Sequence, residues 1–218
     1  MRVVIAGAGN VGQHIALDLH SNGHQVTLLD NDAALVAKLT KSLPVPLVLA
    51  DACEVDSLNA VGVADADVVV AATGDDEDNL VVSLLSKQEF AVPRVVARVN
   101  NPKNKWLFNQ TWGIDVAVST PHILTAMVEE AVSVGSIVRL MQFRDTSLVG
   151  VTLVDSSPAI GVPLGGLALP RDTAIVGVVR EGRVVAPGED TTLSAGDEVL
   201  ALVTEEGEAE LGALLIAD

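Results

Sequence analysis

Up to Val118 the chain alternates between short apolar runs and stretches with helical periodicity. The runs predict strands over residues 3–6, 25–29, 47–50, 67–72, 94–99 and 115–118. The stretches between them predict helices over 11–21, 33–43, 54–60, 79–90 and 103–111. Strand–helix–strand repetition at this pace implies right-handed crossovers and a parallel sheet, and six strands complete a doubly wound, Rossmann-type α/β domain. A further helical stretch, 121–134, carries Ile123, Leu124, Met127, Val128, Ala131 and Val132 along one broad face. It leads into no strand of the same kind and reads as a connector. From Ser136 the texture changes. Strand-like runs at 137–143, 149–154, 174–179 and 199–203 are separated by turns at Ser157-Pro158, Glu181-Gly182, Pro187-Gly188 and Gly196-Asp197, and 206–215 reads as a closing helix. The expected architecture is a Rossmann-type domain with its connector, residues 1–134, followed by a small α+β domain, 135–218.

Composition says how these cores are filled. Apolar residues make up 49% of the 218 residues but aromatics only 2%, with no Tyr. The cores must be packed from Val, Leu, Ile and Ala, as in parallel sheets buried on both faces. Met127 and Met141 are expected among them, and Cys53 as a small buried hydrophobe. The formal net charge of −16 repels nucleic-acid phosphates and anionic headgroups, which argues against both as surface partners. A single cysteine excludes an internal disulfide framework and fits a reducing compartment. The opening apolar run is short for a signal peptide, and no run reaches the ~20 residues of a membrane span, so a cytoplasmic location is expected.

The chemistry gathers at the ends of the predicted strands. Gly7-Ala8-Gly9-Asn10-Val11-Gly12 fits G-x-G-x-x-G between a strand and a helix. In that setting the first glycine permits the turn, the second lets a pyrophosphate approach the backbone, and the third lets helix and sheet pack closely. The helix N-terminus then faces the phosphates. Asp30 ends the second strand about 20 residues on, where a carboxylate accepts ribose hydroxyls. Its alternative role is to cap the next helix, which Asp32 can do equally well. Asn31 and Asp32 follow with no Arg or Lys, so a 2′-phosphate would meet negative charge, and NAD or NADH is favoured over NADP.

Asp51 and Ala52 after the third strand, Thr73 and Gly74 after the fourth, and Arg98 near the end of the fifth fall on the same edge. Arg98 lies in an apolar run and needs an anion, either a nucleotide phosphate or an internal partner such as Asp51 or Asp75. The acids Asp75, Asp76, Glu77 and Asp78 suffice as helix caps and dipole partners; clustered carboxylates also suit a divalent cation. His14, His20, His24 and His122 follow no metal-ligand spacing, and no metal site is assigned. With no catalytic triad, carboxylate dyad or zinc signature, the nucleotide reads as a signal and the chain as a non-enzyme.

These segments together resemble the regulatory subunits of bacterial Trk/Ktr potassium uptake systems, built from RCK (KTN) modules. The resemblance is carried by IAGAGNVGQHIALDL; by LVLADACEVDSL, where Ala50 stands for the family's usual glycine; by VVVAATGDDEDNLVVSLLSK and VVARVNNPKN; and by VVREGRVVAPGEDTTLSAGDEVLALV, similar to the C-terminal pattern R-x-G, P-x-x-x-T, G-D. It implies a peripheral protein at the inner face of the cell membrane, held there by a potassium-translocating membrane subunit. It also implies a homo-oligomer, from dimer to tetrameric or octameric ring, gated by NAD(H), ADP or ATP bound at Gly7, Gly9, Gly12, Asp30, Asp51, Thr73 and Arg98. Residues 121–134 resemble the family's crossover helix, which packs on a partner subunit. Some members bind Mg²⁺, Ca²⁺ or cyclic di-AMP, but Ser119-Thr120 lacks the acid that some relatives place after strand six. A small NAD-dependent oxidoreductase and a stand-alone nucleotide sensor are the alternative functions.

Overall fold

Strands with apolar residues on both faces need helices on both faces, and the first part of the chain supplies them. A computed structural model describes residues 1–132, 135–143 and 145–216, which divide into two compact units, Met1–Pro121 and His122–Asp218. In the first unit β1 (Arg2–Ala6), β2 (Gln25–Asp30), β3 (Leu47–Leu49), β4 (Val68–Ala71), β5 (Arg94–Val99) and β6 (Val116–Ser119) form one sheet in the order β3-β2-β1-β4-β5-β6. Every pair in it is parallel. This is the doubly wound order, with its reversal between β1 and β4. The intervening helices are α1 (Asn10–Ser21), α2 (Ala33–Leu39), α3 (Val55–Ala60) and α4 (Asp76–Gln88). Alternate side chains divide between two cores: Val3, Ile5, Val26, Leu28 and Val70 cluster with Ala16 and Leu39, whereas Val4, Ala6, Leu29, Val69 and Val95 cluster with Leu58, Leu80 and Val82.

Two local features differ from the sequence expectation. Residues 103–111 do not form one helix but two 3₁₀ segments, Pro102–Leu107 and Gln110–Trp112. The side chains of Asn101 and Asn109 accept the N–H groups of Lys103 and Thr111, and Gly113 (φ +75°) ends the second segment. Such local side-chain bonds compete with an α-helical ladder. Helix α4 starts at Asp76, three residues before the expected Asn79, because the Asp75 carboxylate caps it by accepting from Glu77 and Asp78 N–H.

Helix α5 (Thr120–Val132) follows β6. Ser133 and Val134, which end the predicted connector, lie outside the described residues. In the second unit β7 (Ile137–Phe143), β8 (Thr146–Thr152), β9 (Ala174–Arg180), β10 (Arg183–Val185) and β11 (Glu198–Thr204) form an antiparallel sheet ordered β10-β9-β11-β8-β7. Helix α6 (Glu205–Leu215), capped by Thr204, buries Leu211 and Leu215 against Val149, Val151, Val199, Ala201 and Val203. The R-x-G, P-x-x-x-T and G-D segment supplies the end of β9, β10 and most of β11. Fully buried Asp197 takes a two-pronged contact from Arg180, Nε to Oδ1 and Nη2 to Oδ2 at 2.7 Å each, and accepts Ser194 N–H at 2.8 Å. Thr191 Oγ1 accepts Gly188 N–H and donates to Ala186 O, closing the turn before β11. A buried carboxylate persists only when so partnered. Arg180 holds the Asp197 carboxyl below the usual carboxylate range.

Met127 and Met141 are not core residues of this chain: they are 63% and 54% exposed. On α5 Met127 shares a face with Ile123, Leu124, Val128 and Val132, all exposed, so among the described residues nothing covers this apolar stripe. Among the described residues no helix is long and apolar enough to cross a membrane.

Candidate functional site

The carboxyl ends of β1, β2, β4 and β5 converge where the glycine loop leaves β1. Gly7 adopts φ +102°, and a Cβ on it would stand 2.8 Å from Ala72 O and Thr73 N. A Cβ on Gly12 would stand 1.9 Å from Gly7 O, so α1 touches the loop closely enough to exclude any side chain. Gly9 differs. Its φ of −66° suits any residue, and a Cβ there would meet nothing within 4 Å. The glycine at this position leaves open space beside the backbone, a cradle that a methyl group would fill. The first bond of α1 runs from Gln13 N–H to Gly9 O at 3.0 Å. The N–H groups of Asn10, Val11 and Gly12 therefore stand ahead of the helical ladder, at the positive end of the dipole.

Asp30 shapes this loop as well as flanking it. Its Oδ2 accepts Ala8 N–H at 2.7 Å and its Oδ1 accepts Asp32 N–H at 2.9 Å. Each carboxylate oxygen retains a second acceptor site. The helix-capping role falls to Asp32, which accepts from Ala34 and Leu35 N–H. Gln13 Nε2 donates to Ala8 O at 2.7 Å and fixes the loop from the other side. Asn31 is exposed, and Asp51, Ala52, Thr73 and Arg98 are partly buried along the same edge, with Gly74 exposed. Asp51 Oδ1 accepts Cys53 N–H at 2.9 Å.

Arg98 forms no ion pair among the described residues, so neither Asp51 nor Asp75 is its partner. Its Nε is buried and without a hydrogen-bond partner. A buried donor left unpaired costs about 1–3 kcal/mol, which an anionic ligand would recover. The Cys53 thiol is pushed up to about 12 by burial and by the neighbouring carboxylates Asp78 and Asp51. No group of three or more His, Cys, Asp or Glu could hold a metal among the described residues.

Comparison with known proteins fixes the lineage. The TrkA-N domain model matches residues 3–120 and the TrkA-C domain model residues 148–216. The chain belongs to the TrkA family. The Trk system potassium uptake protein TrkA of Mycobacterium tuberculosis is 49% identical, covering 99% of both chains. A TrkA homolog of Methanothermobacter thermautotrophicus is 30% identical over 96% of this chain and 97% of its own. Among solved structures, a GsuK channel bound to NAD superposes with a TM-score of 0.71 at 19% identity, covering 98% of this chain and 39% of that one. That likeness shows the fold, and the chain spans about two fifths of the channel's length.

Within this TrkA-N region two residues escape a sequence reading of the site. Asp76 and Asn79, in the first turn of α4, are 4% and 0% exposed. Asp76 accepts Asn100 N–H (2.6 Å), Asn101 N–H (3.0 Å) and Asn104 Nδ2 (2.9 Å), fixing the loop after β5. Burial raises its pKa, but these hydrogen bonds outweigh burial and hold the carboxyl below its ordinary value. The signal was present as four acids in a row, but alternation alone does not say which one turns inward.

Proposed function

We propose that the chain is a nucleotide-binding regulatory subunit of a potassium uptake system and not an enzyme. The observation that carries this reading is the open cradle at Gly9, bounded by the N–H groups of α1 and by Asp30, with an unpaired guanidinium Nε on the same sheet edge. Gly7, Ala8, Gly9, Asn10, Val11 and Gly12 would hold a pyrophosphate by backbone, and Asp30 and Asn31 would take ribose hydroxyls. Asp51, Ala52, Thr73 and Gly74 would line the adenosine side, and Arg98 would meet phosphate charge. NAD or NADH fits the acidic strand-two end best, while ADP and ATP fit the same cradle. The names of the curated relatives, which are potassium uptake proteins, support the transport role.

Assembly follows from α5. Its exposed face of Ile123, Leu124, Met127, Val128 and Val132 would be covered by a second copy of the chain, and the ring so formed would act on a potassium-translocating membrane subunit from the cytoplasmic side. The regulatory unit is the α+β region, residues 135–218; cyclic di-AMP remains a test ligand for it. A nucleotide shifts such a ring only through different affinities for its two shapes.

Calorimetric titration with NAD, NADH, ADP and ATP tests the site. Asp30→Asn should weaken every nucleotide by about 1–3 kcal/mol, the usual value of a charged hydrogen bond, and Arg98→Ala should weaken the phosphate-rich ones most. Unchanged affinity for all four in both variants overturns the assignment.

A further inference from the structure

The β4–β5 ladder stops at the pair Ala71–Ala97. Beyond it Thr73 and Arg98 are not paired with each other's strand among the described residues. The Asn79 side chain links the two. Its Oδ1 accepts Thr73 N–H at 2.9 Å and lies 2.8 Å from Thr73 Oγ1; its Nδ2 donates to Arg98 O at 2.9 Å and to Thr73 O at 3.4 Å. A carboxamide has two acceptor and two donor positions, and all four are in use. The Thr73 hydroxyl hydrogen is shared between Asn79 Oδ1 and Asp75 O, which is 2.9 Å away. Asn100 Nδ2 donates to Thr73 O at 3.2 Å, and Asp76 holds the backbone of Asn100 and Asn101. One helical turn thus grips the ends of both strands, with no side-chain atom of Asn79 exposed.

We propose that Asn79, supported by Asp76, is a positioning residue of the nucleotide site: it ties the Thr73 turn to the Arg98 backbone, so that the two act on a bound nucleotide as a unit. This rests on the nucleotide reading above. An amide is required here because Thr73 presents a donor and Arg98 an acceptor. A carboxylate satisfies the first and repels the second, and an aliphatic side chain satisfies neither. Freed from Asn79, the Arg98 carbonyl and the Thr73 turn lose their fixed separation. The guanidinium is then presented over a range of positions rather than one. The cost falls on ligands that reach Arg98, and misplacement of a preorganised group by a fraction of an ångström is enough to lose it.

The test is a double-mutant cycle read by calorimetry with ADP and NAD. The proteins are wild type, Asn79→Asp, Arg98→Gln and the double variant, with Asp30→Asn and Asn79→Asp/Asp30→Asn as the comparison pair. Asn79→Asp should weaken ADP about tenfold in the wild-type background and in the Asp30→Asn background, but less than about twofold once Arg98 is Gln. A general loosening of the fold would give the same factor in all three backgrounds, and that result overturns the proposal. If Asn79→Asp does not fold, Asp76→Asn goes through the same cycle with the same expected pattern and decides. Absence of binding by wild type with either nucleotide overturns the nucleotide reading and this proposal with it. Binding by wild type with additive effects overturns the positioning role alone.

Discussion

The two outer glycines of the loop and the middle one are constrained for opposite reasons, and alanine separates them. At Gly12 an added Cβ would sit 1.9 Å from Gly7 O, a backbone atom that can move only if the loop or α1 moves. Forcing a methyl into such a contact costs about 1–3 kcal/mol, and the closeness here puts Gly12→Ala at the upper end, about 3 kcal/mol. For a chain of this size that is a fall in Tm of about 10 °C. At Gly9 the same methyl meets nothing, and φ −66°, ψ 180° is open to alanine. Alanine is a poorer N-cap than glycine by about 0.5–1 kcal/mol and the lower entropy of the unfolded chain returns a similar amount, so Gly9→Ala should lie within about 0.5 kcal/mol of wild type. Yet its methyl occupies the cradle. Nucleotide affinity should fall about 5- to 150-fold, the 1–3 kcal/mol of an unrelieved steric contact. Denaturation by urea and calorimetric titration on the same preparations read the two effects separately. Gly9→Ala with wild-type affinity for all four adenine nucleotides would refute the cradle, and Gly12→Ala with wild-type stability would refute the loop packing.

Acid should remove stability from the wild type below about pH 4. Asp76 and Asp197 titrate below the ordinary value of about 3.9 when folded, so their contribution is complete above that value and is lost as pH falls through the lowered ones. Asp197→Asn should flatten the stability curve below about pH 4, and a curve of unchanged slope there would contradict the pairing with Arg180. Cys53, its thiol pushed up to about 12, should react with iodoacetamide far more slowly in the native protein than in urea at neutral pH, and equal rates would contradict its setting. Leu124→Glu on α5 should lower the oligomer mass seen by light scattering at micromolar concentration. A monomeric wild type would remove α5 as an interface.

Much of the first unit was legible because a parallel sheet buried on both sides announces itself. Runs such as Val68–Ala71 need little else, and all six strands were placed within two residues of their observed ends. The glycine loop was legible because its strand and helix flank it. Other features depend on where a side chain turns in space. Asp30 looked like a ribose acceptor or a cap, and nothing local revealed that it already holds Ala8 N–H. Asn79 reads as the first residue of a helix, whereas its four hydrogen bonds reach Thr73, just past β4, and Arg98 on β5, a juxtaposition the sequence does not encode locally. The three-residue strand β10 escaped because Arg183–Val185 is too short to show alternation. Met127 was misplaced because helical spacing reports that a face is apolar, not whether the same chain covers it.

The regulatory claim is tested most directly by potassium flux into vesicles that carry the membrane subunit together with this chain, measured with no nucleotide, with saturating NADH and with saturating ATP. Flux should differ between at least two of these conditions, Gly9→Ala should abolish that difference, and the NADH absorbance should stay constant throughout. Equal flux in all three conditions, or steady loss of NADH, would contradict a nucleotide that acts as a signal.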